Sequence, residues 1–220
     1  MTQRVVSISP GRELQIYAST DSIPWIVGTV GETPDGRRFR FCLNDGTADI
    51  AGEVYQSAAV IANHRNLTPS AAAVGTRTVT VTLGATAATL NQYQYGFLAV
   101  RDTQGAGAGR LYRVASNPAA DASATLALTL TQEYDLREAL TASSRIDLIP
   151  NPWSAVVLGA TDSGSRFTVG YAMGDVAANG YGWYQTRGLA CVANIFAEGS
   201  SRIVSQVGSA QYGVVFLNLE

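Results

Sequence analysis

The sequence predicts a mainly β fold, arranged as an antiparallel sandwich or as barrel-like sheets, with one or two short helices. Most segments alternate apolar and polar residues with a period of two, the pattern of strands buried on one face. Glycine, proline, asparagine and aspartate separate these segments, as turn residues do between strands. Charged residues make up 15% of the chain, below the ~25% of an average soluble domain, which favours a β-rich protein with a largely neutral surface.

Two segments show the alternation most clearly. In residues 77–83 (RTVTVTL), Val79 and Val81 lie on one face and three threonines on the other. Residues 124–131 (ATLALTLT) repeat the pattern with leucines. The same reasoning predicts strands at RVVSIS, RRFRFCL, YGFLAVRD, RLYRVAS, RIDLIP, AVVLGA, FTVGYAM, YGWYQ, LACVA, RIVSQV and YGVVFLN.

Two other segments have helical periodicity. Residues 49–67 place four apolar side chains near one helical face, although Gly52 weakens the start. Residues 132–141 bring Leu136 near Leu140 at four-residue spacing. We therefore expect a short helix in each segment.

The only stretch whose composition could mark a domain boundary is the alanine-rich TPSAAAVG, residues 68–75. It predicts a division near residue 75. Residues 1–75 would form an N-terminal segment with an arm, a strand and a short helix, and residues 76–220 the main β-domain. A single domain is the alternative.

Charge and cysteine content exclude several classes of function. The net charge is −2, so we expect neither a nucleic-acid partner nor a membrane partner. Cys42 and Cys191 lie far apart among apolar neighbours, which predicts two buried free thiols and no metal site. The N-terminus lacks the apolar region of a secretory signal, so we expect synthesis in the cytoplasm.

The glycine-rich stretch VRDTQGAGAGRLYRV, residues 100–114, could suggest a phosphate-binding loop. Gly105 and Gly107 supply G-x-G, but Arg110 stands where the third glycine of a dinucleotide fingerprint belongs. A strand pattern follows in place of a helix, so no helix N-terminus is available for phosphate. The stretch is predicted to be the tip of a β-hairpin, and no cofactor is expected.

Candidate catalytic groups do not form a convincing set. His64, the only histidine, is expected near a helix end, either solvated or facing the helix dipole. Asp45, Asp49 and Glu53 could share one helical face, while the acids of residues 133–138 are expected on another solvated helix face. We therefore predict no catalytic residues.

Aromatic and arginine residues are the candidate interface. In NGYGWYQTRG, Tyr181 and Trp183 alternate with Tyr184, and they are either core residues or anchors for a partner, since Trp, Tyr and Arg dominate binding hot spots. The arginines of GRRFRF are expected to meet acidic groups of a partner, while Phe39 and Phe41 point to the core. The predicted interface set is Arg37, Arg38, Arg40, Tyr181, Trp183 and Tyr184.

Several motifs together resemble the capsid decoration, or cement, proteins of tailed bacteriophages. The matching pieces, in the expected order, are DGRRFRFCLNDGTADIAGEVYQS, TVTLGATAATLNQYQYGFLAVRDTQGAGAGRLYRVASNPAA and VGYAMGDVAANGYGWYQTRGLACV. The resemblance implies a non-enzymatic mainly β protein, often a homotrimer, on the outside of the head. Its partners would be the major capsid protein and other copies of itself.

Two alternatives remain at this stage. One is a receptor- or glycan-binding module of a head or tail fibre, because exposed aromatic faces stack on sugars. The other is a hydrolase using dispersed carboxylates such as Glu53, Asp102 and Glu138.

Overall fold

The computed structural model describes residues 5–8, 16–20, 25–101, 108–159, 166–193 and 212–218. The fold is mainly β, as predicted, with two sheets. The strands, numbered in chain order, are β1 (Val6–Ser7), β2 (Val30–Glu32), β3 (Arg38–Leu43), β4 (Val54–Gln56), β5 (Thr78–Thr82), β6 (Phe97–Val100), β7 (Leu111–Ser116), β8 (Thr125–Leu130), β9 (Ile146–Ile149), β10 (Val157–Leu158), β11 (Thr168–Ala172), β12 (Tyr181–Ala193) and β13 (Tyr212–Asn218).

The chain forms two compact units, one inserted in the other. The barrel unit is Val60–Asn151, and the sheet unit is Thr2–Ala59 together with Pro152–Glu220. The division predicted near residue 75 falls inside the barrel unit, just before β5. The alanine-rich stretch is no linker there, because Ala72 pairs with Leu140 through two backbone hydrogen bonds.

The sheet unit contains eight strands in the order β1-β2-β3-β12-β11-β4-β10, with β13 pairing β12 outside this path. All pairs are antiparallel except β1 with β2. Because side chains alternate across a strand, β3 and β12 supply both faces of the sheet. One face holds a core containing Phe39, Phe41 and Trp183, and the other holds a core containing Cys42 and Tyr184. The prediction that Phe39 and Phe41 point to the core is confirmed.

Close packing on the first face requires a glycine at position 31. A Cβ at Gly31 would lie 2.6 Å from Ile8 Cδ1 and 2.9 Å from the ring of Trp183. The missing side chain therefore lets Ile8 and the indole of Trp183 approach the backbone of β2.

The barrel unit contains five strands in the order β5-β8-β7-β6-β9, all antiparallel. The segment 67–70 joins its two edges. Leu67 exchanges two backbone hydrogen bonds with Ile146 of β9, while Ser70 N–H donates to Thr80 O of β5 at 2.8 Å. The sheet is thus closed into a small barrel around one core, whose largest buried side chains include Tyr93, Leu98, Leu126, Leu128, Leu130 and Leu136.

Most predicted strands are present. The segments YGWYQ and LACVA, predicted as two strands, form the single long strand β12. β2 and β4 were missed, and RIVSQV lies outside the described residues. The glycine-rich stretch does join two antiparallel strands, β6 and β7, as a hairpin would. Gly105 and Gly107 themselves lie outside the described residues.

Of the two predicted helices, the first is present only as a short 3-10 helix, and residues 132–141 form none. Within residues 49–67, Gly52 adopts a φ of +82°, which ends any helix, and β4 follows at once. A three-residue 3-10 turn, Ala62–His64, is the helical structure in that segment. Residues 132–141 form turns and a bridge, with Leu136 and Leu140 hydrogen-bonded to the segment before β5. The first segment thus buries Val54 in a strand, and the second buries Leu136 and Leu140 by pairing with the loop before β5.

Candidate interaction surface

The three predicted interface arginines on and beside β3 all have partners within the sheet unit. Arg37 Nε lies 2.7 Å from Asp35 Oδ2, and Arg38 Nε lies 3.4 Å from Glu32 Oε2. Arg40 donates to the carbonyl of Gly28 at 3.0 Å, and its guanidinium lies 4.5 Å from the ring centroid of Trp153. Arg40 therefore ties the turn before β2 to an aromatic ring, while Arg38 keeps about a third of its side chain in solvent.

The predicted aromatic anchors belong mainly to the two cores. Trp183 is 2% exposed, and its ring centroid lies 5.2 Å from those of Trp25 and Phe41. Tyr184 is fully buried on the opposite face, and Tyr181, stacked on Phe41, is half-buried. Trp183 and Tyr184 are therefore core residues, the first of the two interpretations, and their rings are not exposed to a partner or a sugar in this fold.

A buried polar cluster surrounds Tyr184. Its hydroxyl donates a hydrogen bond to Asp49 Oδ2, and Asp49 is 4% exposed. Burial raises the pKa of Asp49 to about 7, and the nearby acids Asp45 and Glu53 add to the rise, while the Tyr184 hydrogen bond opposes it. Asp49 also pairs through its backbone with Val176. The expectation of a shared helical face for Asp45, Asp49 and Glu53 is therefore wrong.

His64 is buried, against the expectation of a solvated residue. Its Nε2 lies 2.8 Å from the carbonyl oxygen of Thr86, and its Nδ1 contacts the Tyr93 hydroxyl. Since a carbonyl only accepts, Nε2 carries the hydrogen, and in the neutral ring Nδ1 accepts from Tyr93. The imidazole thus holds two parts of the barrel unit together.

The remaining expectations concern the two cysteines and the acids of residues 133–138. Cys42 is buried as predicted, and burial raises the pKa of its thiol, but Cys191 is exposed. Successive residues of a strand lie on opposite faces, so the apolar neighbours of Cys191 in β12 did not indicate which face its own side chain takes. The acids Asp135 and Glu138 do not lie on a helix and pair with Arg77 and Arg110.

Within the described ranges, no three His, Cys, Asp or Glu side chains are placed to share a metal ion. In the same part of the chain, no helix has the length and apolar character needed to cross a membrane.

A two-stranded extension of the sheet unit was not predicted from the sequence. Arg187 is the last residue of β12 that pairs with β3, and the described residues from Gly188 to Ala193 pair with β13 alone. We name these paired segments the ribbon. Leu189 is 62% exposed and Cys191 is also exposed, whereas Gly188 and Ala190 are buried. No local signal marks YGWYQ and LACVA as one strand, because β12 has a bulge between Gln185 and Arg187 and Gly188 adopts a φ of +95°, which is typical of a turn.

Comparison with known proteins identifies no relative: no protein-family model, curated protein or solved structure matches the chain.

Proposed function

We propose that the protein is a non-enzymatic virion component of a tailed bacteriophage, a decoration protein on the outer surface of the head. It would stabilise the contacts between capsomers. The sequence motifs over residues 35–193 motivate this proposal. The structural observation that supports it best is the ribbon, which presents Leu189, 62% exposed, on a two-stranded extension of the sheet.

A two-stranded ribbon is a weak structure by itself. Isolated hairpins are marginally stable in water, and an exposed leucine favours burial by about 1.5–3 kcal/mol. Both facts favour a neighbouring subunit that covers the exposed side of the ribbon. We therefore propose the ribbon as the main contact element, facing the major capsid protein or another copy of the chain.

A trimer would suit a local threefold axis of the shell. Three equivalent contacts act together, so that avidity can exceed the affinity of one contact by ~10² or more. Each contact would need to bury about 800 Å² per partner to be specific. Arg38 would add a charged contact, and the exposure of about a third of its side chain supports this role. Arg40 serves the fold instead.

The test uses phage particles assembled without this chain. We expect them to package DNA but to break at lower temperature, and added wild-type protein should restore heat resistance and appear at symmetric positions by electron cryomicroscopy. Leu189→Asp should reduce occupancy at least about tenfold, since it places a charge in an apolar contact. Leu90→Asp, at an exposed leucine of the barrel unit, is the matched control and should bind normally.

Two results would contradict the proposal. Unchanged heat resistance of particles that lack the chain would remove the stabilising role. Binding of the purified protein to host cells or their polysaccharide, without binding to heads, would favour the receptor- or glycan-binding alternative.

A further inference from the structure

The outer face of the barrel unit divides into two chemically different halves. On β5 and β8 the outward side chains are mostly threonine, with Thr78 opposite Thr129 and Thr82 opposite Thr125. On β6, β7, β9 and the residues next to them, the outward side chains are mainly arginine and apolar residues, with one aspartate. We name this second half the arginine face: Arg65, Tyr95, Phe97, Ala99, Arg101, Leu111, Arg113, Arg145, Asp147 and Ile149.

One carboxylate of the arginine face is shared between two arginines. Arg65 Nε lies 3.6 Å from Asp147 Oδ2, and Arg101 Nη1 lies 3.6 Å from Asp147 Oδ1. The backbone N–H of Asn66 already donates to Oδ1 at 2.7 Å. Charge-assisted hydrogen bonds are ~2.7–2.9 Å long, so both guanidinium groups interact only loosely with this carboxylate. About half of each arginine side chain is exposed.

A third arginine is held by aromatic rings. The guanidinium of Arg113 lies 5.8 Å from the ring centroid of Phe97 and 6.0 Å from that of Tyr95. These cation–π contacts orient the group without neutralising its charge. Arg145 adds a fourth charge nearby, with Nη1 donating to the carbonyls of Ala142 and Ser144 at 2.9 Å. The described residues of the face thus carry four arginines and one aspartate, although the whole chain has a net charge of −2.

An apolar strip lies between these charges. Leu111, 51% exposed, stands opposite the small side chain of Ala99, and Phe97 stands opposite Ile149. Arg113 on β7 lies opposite Phe97 on β6, and Phe97 lies four residues before Arg101 in the chain. The two arginines are therefore about 13 Å apart along the strand direction. A matching partner would carry carboxylates at the same separation with apolar or small residues between them.

We infer that the arginine face binds an acidic segment of another protein, in extended conformation, with carboxylates about four residues apart at Arg101 and Arg113. A single-stranded nucleic acid fits less well. It would need open aromatic faces for its bases, and Arg113 already covers Tyr95 and Phe97. The arginine face and the ribbon belong to different units, so this binding is independent of the proposed role of the ribbon.

The test uses the full chain and a synthetic peptide with glutamate at every fourth position, separated by threonine and alanine. We expect the peptide to shift the NMR amide signals of β6, β7 and β9, and its affinity should fall with salt. Arg101→Glu and Arg113→Glu should each weaken binding at least about tenfold. Arg77→Glu makes the same charge change at a half-exposed arginine next to β5, outside the face, and should bind normally.

Controls keep the result interpretable. The same peptide with glutamine in place of glutamate should not bind. Because Arg101→Glu places a second acid beside Asp147, Arg101→Gln is the substitute if that variant fails to fold. Equal loss of binding in Arg77→Glu, amide shifts outside the face, or no binding at all would overturn the inference. Tighter binding of oligothymidylate to the same strands would overturn the assignment of a protein partner.

Discussion

At the scale of single residues, Asp49 shows how a core acid couples stability to pH. The residue is 4% exposed, and its carboxyl accepts a hydrogen bond from Tyr184. Its pKa in the folded protein is about 7, compared with an ordinary value of 3.8. The folded state therefore holds a proton that the unfolded chain releases between these two values. Stability from this group is full below pH 4 and is lost as the pH rises through about 7.

Asp49→Asn should remove this pH dependence. The side chain keeps an acceptor for the Tyr184 hydroxyl but cannot ionise, so the free energy of unfolding should no longer fall between pH 4 and 7 by up to about 1.4 kcal/mol per pH unit. Urea unfolding of both proteins at pH 4.5 and pH 8 measures the difference. Asp121→Asn, at an exposed acid of the barrel unit, is the control and should leave the slope unchanged. Parallel pH profiles for wild type and Asp49→Asn would contradict the role given to Asp49.

At the scale of elements, the segment 67–70 determines whether the barrel unit is open or closed. Its hydrogen bonds to Ile146 on one side and Thr80 on the other leave no free edge between β9 and β5 in that region. Free edges attract other strands, and closure removes this risk. The segment carries no regular strand pattern and contains Pro69, so nothing local marks it as the closing element.

Hydrogen exchange should reveal this closure. The amides of Leu67, Ser70 and Ile146 are expected to exchange as slowly as that of Val114 on the central strand β7, because all four donate to backbone carbonyls within one closed sheet. The measurement is the exchange of backbone amides followed by NMR. If Leu67 and Ser70 exchanged fully while Val114 stayed protected, the edge would be open in solution.

The strands were predictable where one face is buried and the other is exposed. β5 and β8 alternate cleanly, and their periodicity was sufficient. β4 is buried at all three positions, so it has no alternation to detect. The helical pattern of residues 49–67 arises because a turn at Gly52 and the strand after it happen to space apolar residues at helical intervals.

The candidate surfaces were less predictable than the fold. Residue type was enough to select Arg37, Arg38 and Arg40 as candidates. The groups that they contact lie on another strand and in turns, which residue type does not indicate. The arginine face needs the register of three strands and one loop before its members become neighbours. No local motif carries that register.

At the scale of the whole molecule, each unit has its own hydrophobic core. The residues of the barrel core all lie within Val60–Asn151, and those of the two sheet cores lie outside that range. Separate cores predict separate cooperative units.

Thermal unfolding should therefore show two transitions. Scanning calorimetry measures them directly, and Leu128→Ala, in the barrel core, should lower only one midpoint, because a buried leucine lost to a cavity costs about 2–5 kcal/mol. Val169→Ala, in a sheet core, is the matched variant and should lower the other. A single transition moved equally by both substitutions would mean that the units unfold together.

The position at which the barrel unit is inserted affects how the chain can change during evolution. β4 and β10, which precede and follow the barrel unit in the chain, are paired neighbours, with Gln56 opposite Val157. The host sheet therefore already brings the two ends of the insertion together, as a hairpin would. A short turn could replace the barrel, or another module could be spliced in its place, without rethreading a strand. Recombination at this junction could exchange one binding specificity for another while the scaffold that receives it stays the same.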